Sequence, residues 1–514
     1  MRHLLAALVI LLFISTNPHA QRGRGAAEVP VDPDKAAAFD WLDRNAAAIK
    51  AFGAELWGTP EVSFREFRSS RALVHYLEGH GFTVTSNAAG LPTAFVASAG
   101  NGQPVIAFWT EEDALAGMSQ KALPTREPVV PGGPGHACWH NLIGPSTAAA
   151  AVTVAQFLQR TGTKGTIRVY GTPAEETGGG KDFMLDAGTF KDVDVLLGWH
   201  PSTNTRTEFE YSKAMAEMHF HFKGVASHAS VAPDKGRSAL HAVELMNAGV
   251  NALREQLKED ARVQYVISNG GGEPNVIPAD AESWYIVRAD KHDEVADVVE
   301  WISEIARGAA MMTRTQVDVR IDNDQPEVLP NRPLAEILDR NLRVVGAPIF
   351  REEDKIRTRK LLEGIGRDPQ PARSDVVTLP GEPTQEAYST DLGNTSWAIP
   401  TERFAVAPSP YVILPHTWQA TVNSATAGLE AIPIAAKTLA ATAIDLFKSR
   451  GAIDAAKKDL TNRTNGRSYK LLTPPNRKPP IYQEGAPGDH DRDGSTSDSG
   501  AAASANTRQV VEPH

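Results

Sequence analysis

Residues 164–201 read KGTIRVYGTPAEETGGGKDFMLDAGTFKDVDVLLGWHP. Two short apolar runs, 166–170 and 193–199, have the composition of buried strands. Each run stops on polar chemistry: Glu175 and Glu176 follow the first, and His200 with Pro201 ends the second. Strand ends are where α/β sheets place their sites. A third run of this kind spans 105–109, and an alanine-rich helical stretch runs from 146 to about 160. Strands interleaved with helices predict an α/β layer with a mixed, largely parallel sheet flanked by helices.

The texture changes near residue 213. Met218, Phe220 and Phe222 alternate with His219, His221 and Lys223, the period of a half-exposed antiparallel strand. Leu240, Val243, Met246, Val250, Leu253 and Leu257 then form one helical stripe. Strands are predicted at 265–268, 283–287 and 317–321, and a helix returns at 426–447 despite Pro433. These patterns predict an α+β domain, 213–322, inserted between two parts of one α/β domain, 28–212 and 323–455. A tail, 456–514, follows and is expected to be disordered from about 473, where Pro, Gly, Ser and Asp dominate.

Composition sets outer bounds. The chain has 514 residues, 41% hydrophobic and 22% charged, with formal charge −10, so no basic nucleic-acid footprint is expected. Arg2, His3 and the apolar run 4–14, with Ala20 as a cut site, read as a signal peptide over 1–20. The expected location is periplasmic or secreted, with no membrane association beyond export; a retained anchor is the alternative, because Pro18 is poor for cleavage. Asp489, Asp491 and Asp493 imitate a calcium loop, but its twelfth position is Gly500. The one cysteine, Cys138, excludes an intramolecular disulfide.

Four clusters could carry chemistry. Cys138 and His140 stand two apart, so on extended backbone they face the same side. Glu175 and Glu176 could divide labour, one on a metal and one moving a proton. His200 ends a strand, and His416 lies in a late loop before a helix. Each has a structural reading when taken alone. Together Cys138, His140, Glu176, His200 and His416 offer S, N and O donors of the kind open catalytic metal sites use. His-Glu-x-x-His, Gly-x-Ser-x-Gly and Walker signatures are missing from the sequence. His219, His221 and His241 receive no role.

At these residues the chain resembles the metal-dependent aminoacylase and carboxypeptidase superfamily (peptidase M20-like amidohydrolases). The nearest branch includes aminobenzoyl-glutamate hydrolase and the auxin-amino acid amide hydrolases. The resemblance runs through Glu112-Asp113-Ala114-Leu115, Gly135-His136-Ala137-Cys138, Pro173-Ala174-Glu175-Glu176, Trp199-His200-Pro201, Ser227-His228-Ala229, Asn275, Ser389-Thr390-Asp391 and His416-Thr417-Trp418. It implies two divalent metal ions on Cys138, His140, Glu176, His200 and His416, with Glu175 as general base. It implies His228 on the oxyanion, Asn275 and Arg288 on the substrate, and a homodimer through the inserted lid domain.

The implied reaction is hydrolysis of an amide in N-acyl or aminobenzoyl amino acids. A dipeptidase or carboxypeptidase activity is the alternative, and a non-catalytic binding relative is another. The donors suit zinc, with manganese and cobalt open. One departure is Trp139, where the branch usually has glycine; its ring is expected to restrict the backbone or fill part of the pocket.

Overall fold

The computed structural model describes residues 32–474 and 477–484. The signal-like segment and the acidic stretch at 489–494 lie outside the described residues.

Helices α1 (Pro33–Gly58) and α2 (Phe67–Gly79) lead into strands β1 (Thr83–Ser86), β2 (Phe95–Asn101) and β3 (Val105–Thr110). Then come α3 (His140–Thr161), β4 (Gly165–Gly171), α4 (Gly180–Asp186), β5 (Val195–Pro201), β6 (Arg206–Thr207) and β7 (Glu210–Tyr211). A second unit follows: β8 (Ala214–Lys223), α5 (Ala239–Leu253), β9 (Arg262–Asn269), β10 (Asp280–Ala289), α6 (His292–Thr313) and β11 (Gln316–Gln325). The chain continues with α7 (Arg332–Val345), α8 (Glu352–Glu363), β12 (Thr384–Gln385), α9 (Leu392–Ala398) and β13 (Thr401–Val406). Helices α10 (Trp418–Ser424), α11 (Ala431–Lys448) and α12 (Arg450–Thr464) complete it.

The main sheet has the order β1-β2-β4-β3-β5-β13-β6. Its centre, β4 to β13, is parallel, and β1, β2 and β6 add antiparallel edges. Strand β3 shows why its sequence is apolar throughout. Ile106 and Phe108 enter the core under α1, α3 and α11, while Ala107 and Trp109 enter a second core on the other face. A strand buried on both faces needs no polar alternation. Helix α11 and the turn before it, Ala427–Lys448, are apolar and long enough to cross a membrane, but this segment is mostly buried against α1, α3 and α7. Helix α3 begins at His140, upstream of the expected start. Its first turns are buried, and Asn141 Nδ2 donates to Gly53 O and Ser424 O, so packing rather than a capping residue sets the boundary.

The second sheet is antiparallel, β11-β8-β10-β9, in the predicted strand–helix–strand–strand–helix–strand order. One face, with Met218, Phe220, Tyr285 and Val287, packs under α5 and α6. Its other face carries Met215, Glu217, Trp284, Ile286 and Arg288 and lines a cavity against the main sheet.

Beyond 473, where the sequence reading expects disorder, the described residues 477–484 have no helix or strand but make specific contacts. Leu472 N donates to Asp324 Oδ2 on β11 (2.7 Å), and Arg477 donates to Asp322 O (2.7 Å) and to Asp182 Oδ2 on α4 (3.0 Å). Arg65 lies over the Tyr482 ring, and Arg71 makes a two-armed pair with Glu484 on 2.8 Å bonds. Charges and rings hold this segment, without the apolar period on which a sequence reading depends.

Candidate metal centre

Three loops that build the site hold a non-glycine residue in the left-handed region: Trp139 (φ 61), Ala174 (φ 62) and His416 (φ 58). Such backbone costs roughly 1–2 kcal/mol per L-residue and persists where packing over-determines it. The glycines after Glu176 serve close approach. A Cβ on Gly180 would fall 1.9 Å from Pro173 O, so the loop bearing both glutamates folds back onto the start of α4.

These loops bring the five expected donors together. Donor atoms of Cys138, His140 and His200 lie within 4.8 Å of one another, as do those of Cys138, Glu176 and His416, and those of His140, Glu175 and Glu176. Cys138 Sγ is 3.6 Å from His200 Nε2, and His416 Nε2 is 3.3 Å from Glu176 Oε2. The outer nitrogens are anchored: His200 Nδ1 is 2.7 Å from Pro201 O, and His140 Nδ1 is 2.9 Å from Asp113 O and 3.0 Å from Asp113 Oδ1. Asp113 also accepts from Ser63 Oγ (2.7 Å) and Glu176 N (2.9 Å), tying ligand loops together as a metal's outer shell does. His140 Nε2 and Glu176 Oε1 are buried without a hydrogen-bond partner. Orphaned buried donors and acceptors call for an unseen partner, and a mixed thiolate, imidazole and carboxylate set fits a divalent cation.

The electrostatics agree. Burial, then the nearby His140, pushes His200 down to about 4, so its imidazole is neutral and ready to ligate. Burial and His140 also lower His416. Burial, outweighing the pull of His140, raises Glu176 to about 7, and burial followed by Glu176 raises the Cys138 thiol. Glu175 lies well above the usual carboxylate range through burial and then the charge of Glu111.

Beneath Glu175 lies a cluster the sequence reading missed. Donor atoms of Glu111, Glu175 and Asp391 lie within 4.8 Å of one another. Lys181 Nζ reaches Glu111 Oε1 and Asp391 Oδ1 at 2.7 Å each, and all three side chains are buried. The only available signal was Lys181 directly after the glycine run, with Asp391 inside a resembling motif; nothing local tells a buried lysine from a surface one.

The other expected residues divide. Arg288 lines the cavity, of about 590 Å³, opposite Cys138, Glu175, Glu176, His200 and His416. Burial lowers its pKa, and its side chain has no hydrogen bond or ion pair among the described residues. His228 and Asn275 do not reach that cavity in one chain. Both are exposed at an outer end of the second sheet, joined by the His228–Val276 bridge and the bond from Ala229 N to Asn275 O. Trp139 borders the cavity, but its ring is in the main core with Nε1 donating to Asn423 Oδ1 at 2.8 Å; pocket filling by the ring is corrected to core filling. Trp139→Gly should therefore destabilise the protein. Losing a core Trp costs ~3–5 kcal/mol, and relief of the left-handed backbone returns only ~1–2 kcal/mol. A denaturation midpoint unchanged or raised would contradict this.

A parallel-centred sheet with mixed S, N and O donors on its strand-end loops, roofed by an antiparallel sheet, is a two-unit architecture with a candidate metal centre between its units. Residues 212–311 match the M20 peptidase dimerisation domain. The chain is 38% identical over 461 residues to one of the p-aminobenzoyl-glutamate hydrolase subunits of Escherichia coli (strain K12), covering 83% of this chain and 94% of that one. It is 29% identical over 445 residues to the Xaa-Arg dipeptidase of Mus musculus, covering 83% and 91%. A dinuclear metal-binding M20 peptidase of Bacillus subtilis shares the fold, with TM-score 0.53 and 20% identity over 79% of this chain and 99% of that one. The chain belongs to the M20 family of metallopeptidase-type hydrolases.

Proposed function

We propose that this chain hydrolyses the amide of an N-acyl or aminobenzoyl amino acid, using two divalent ions held by Cys138, His140, Glu176, His200 and His416. The observation that carries this reading is the convergence of those donors, two of them orphaned, opposite the unpaired cation of Arg288. Bound there, a divalent ion supplies a water of lowered pKa and polarises the scissile carbonyl. Glu175 would take a proton from the attacking water and return it to the leaving nitrogen. Arg288 holds the amino acid's carboxylate in a bidentate grip that lysine would not reproduce. Dipeptide cleavage is the second reading, supported by the likeness to the Xaa-Arg dipeptidase.

Two further features belong to this proposal. The edge strand β9, with Val266 and Ile267 exposed, suits pairing with a second copy. His228 and Asn275 would then serve the partner's cavity; a monomer by light scattering would remove that role. Export is proposed from Arg2, His3 and the run 4–14, and a mature chain still beginning at Met1 would count against cleavage.

The purified protein should hold close to two metals per chain and hydrolyse aminobenzoyl-glutamate until chelated. Metal uptake should weaken as pH falls through about 7, because Glu176 and Cys138 must lose protons to ligate. No metal under replete conditions, or uptake independent of pH between 6 and 8 (about one unit either side of that value), would overturn the ligand assignment.

A further inference from the structure

Trp284 is a large apolar side chain left exposed in the cavity that also holds Glu175, Glu176 and Arg288, and its surroundings are built. Its ring stacks on His219, with centroids 5.4 Å apart and planes at 13°. His219 is held in turn, its Nδ1 3.0 Å from Glu282 Oε1 and its Nε2 3.5 Å from Asp322 Oδ2. The Glu217 carboxylate lies beside the indole N–H. One ring face is thus occupied and the ring's orientation fixed, while Trp284 keeps 37% of its surface exposed and lines the cavity. A core tryptophan would be covered on both faces, and a chance surface tryptophan would have no imidazole clamped beneath it by two carboxylates.

Position adds meaning to this arrangement. Trp284, Ile286 and Arg288 alternate along β10, so all three point to the same face. Four steps along the strand set Trp284 and Arg288 about 13 Å apart. A ligand whose carboxylate meets Arg288 passes Ile286 and reaches Trp284 only when its acyl group is extended. An acetyl group ends short of the indole, whereas an aromatic acyl group arrives with a flat face to stack.

We propose that Trp284, backed by His219, is the platform that selects aromatic over small aliphatic acyl groups at this site. The inference rests on the proposed amide substrate with its carboxylate at Arg288. Offset stacking between aromatic rings supplies the preference, and His219 removes the cost of ordering the indole at binding.

The test is calorimetric binding of aminobenzoyl-glutamate and acetyl-glutamate to the full, zinc-loaded chain carrying Glu175→Gln, which slows turnover. Adding Trp284→Ala should lower the preference for the aromatic ligand, the ratio of the two Kd values, by about tenfold. Adding Trp284→Phe should keep most of that ratio, because a flat ring remains. An unchanged ratio in Trp284→Ala, or no binding of aminobenzoyl-glutamate to the parent, overturns the platform. If the ratio falls as expected but the chain with Glu175 intact hydrolyses neither compound, the platform stands and the hydrolytic reading falls.

Discussion

Glu175→Gln should lower kcat by roughly 10²–10⁴ while leaving metal content unchanged, the usual worth of a positioned general base. Glutamine keeps the size and shape of the side chain but cannot accept a proton from water. The setting makes the loss large. Glu175 sits between the donor cluster and the Glu111–Lys181–Asp391 group, where burial and the Glu111 charge raise its proton affinity. A carboxylate with raised proton affinity takes a proton more readily, and the neutral amide loses that property entirely. Glu176 does not take over, because its oxygens face His140 and His416. Metal analysis with steady-state kinetics distinguishes the outcomes. Activity within tenfold of the parent would remove Glu175 from the base role. Loss of metal together with activity would make it a ligand instead.

The second large effect is on stability. Lys181→Met should destabilise the protein by ~3–5 kcal/mol, the usual cost of removing one partner from a buried ion pair. Lys181 has no exposed side-chain surface, and its ammonium bonds two carboxylates at 2.7 Å. Methionine fills much the same volume, so the loss comes from charge rather than from a cavity. Glu111 and Asp391 would face each other across a dry space with no cation. Adding Glu111→Gln and Asp391→Asn to Lys181→Met should recover part of the loss, because it removes the stranded charges. Chemical denaturation of the three proteins reads this directly. A shift below ~1 kcal/mol for Lys181→Met would match a surface pair and would mean that the triad is not closed to water.

Much of this is legible in sequence because it is periodic or local. The β3, β4 and β5 runs are apolar for a plain reason, burial on two faces, and β8 shows its covered face through strict alternation. Glu175, Glu176 and His200 are visible because each follows a strand end. What stays hidden depends on distance along the chain. Asp113 anchors His140 and the Glu176 loop at once, and Lys181 meets partners 70 and 210 residues away. Residue type fixes no such pairing. His219 reads in sequence as a solvated histidine, because an alternating strand gives no hint of the ring across from it on β10. The direction of the Trp139 ring is equally out of reach, since a left-handed residue at a helix start turns its side chain away from where a strand would send it.

The described residues 466–474 and 477–484 also bear on how the molecule is made. Ribosomal synthesis delivers domains from the N-terminus onward, and they fold as units. The main sheet needs β13, and the inserted sheet is finished at β11, so both can close before Leu472, Arg477 and Glu484 emerge. The last described residues then lace β11 to α4 and α2, which makes them a seam sewn after the cloth is cut. Contacts such as Asn394 Nδ2 to Asp324 O can thus set the relative orientation of the two bodies first, and the later segment fastens an arrangement already made.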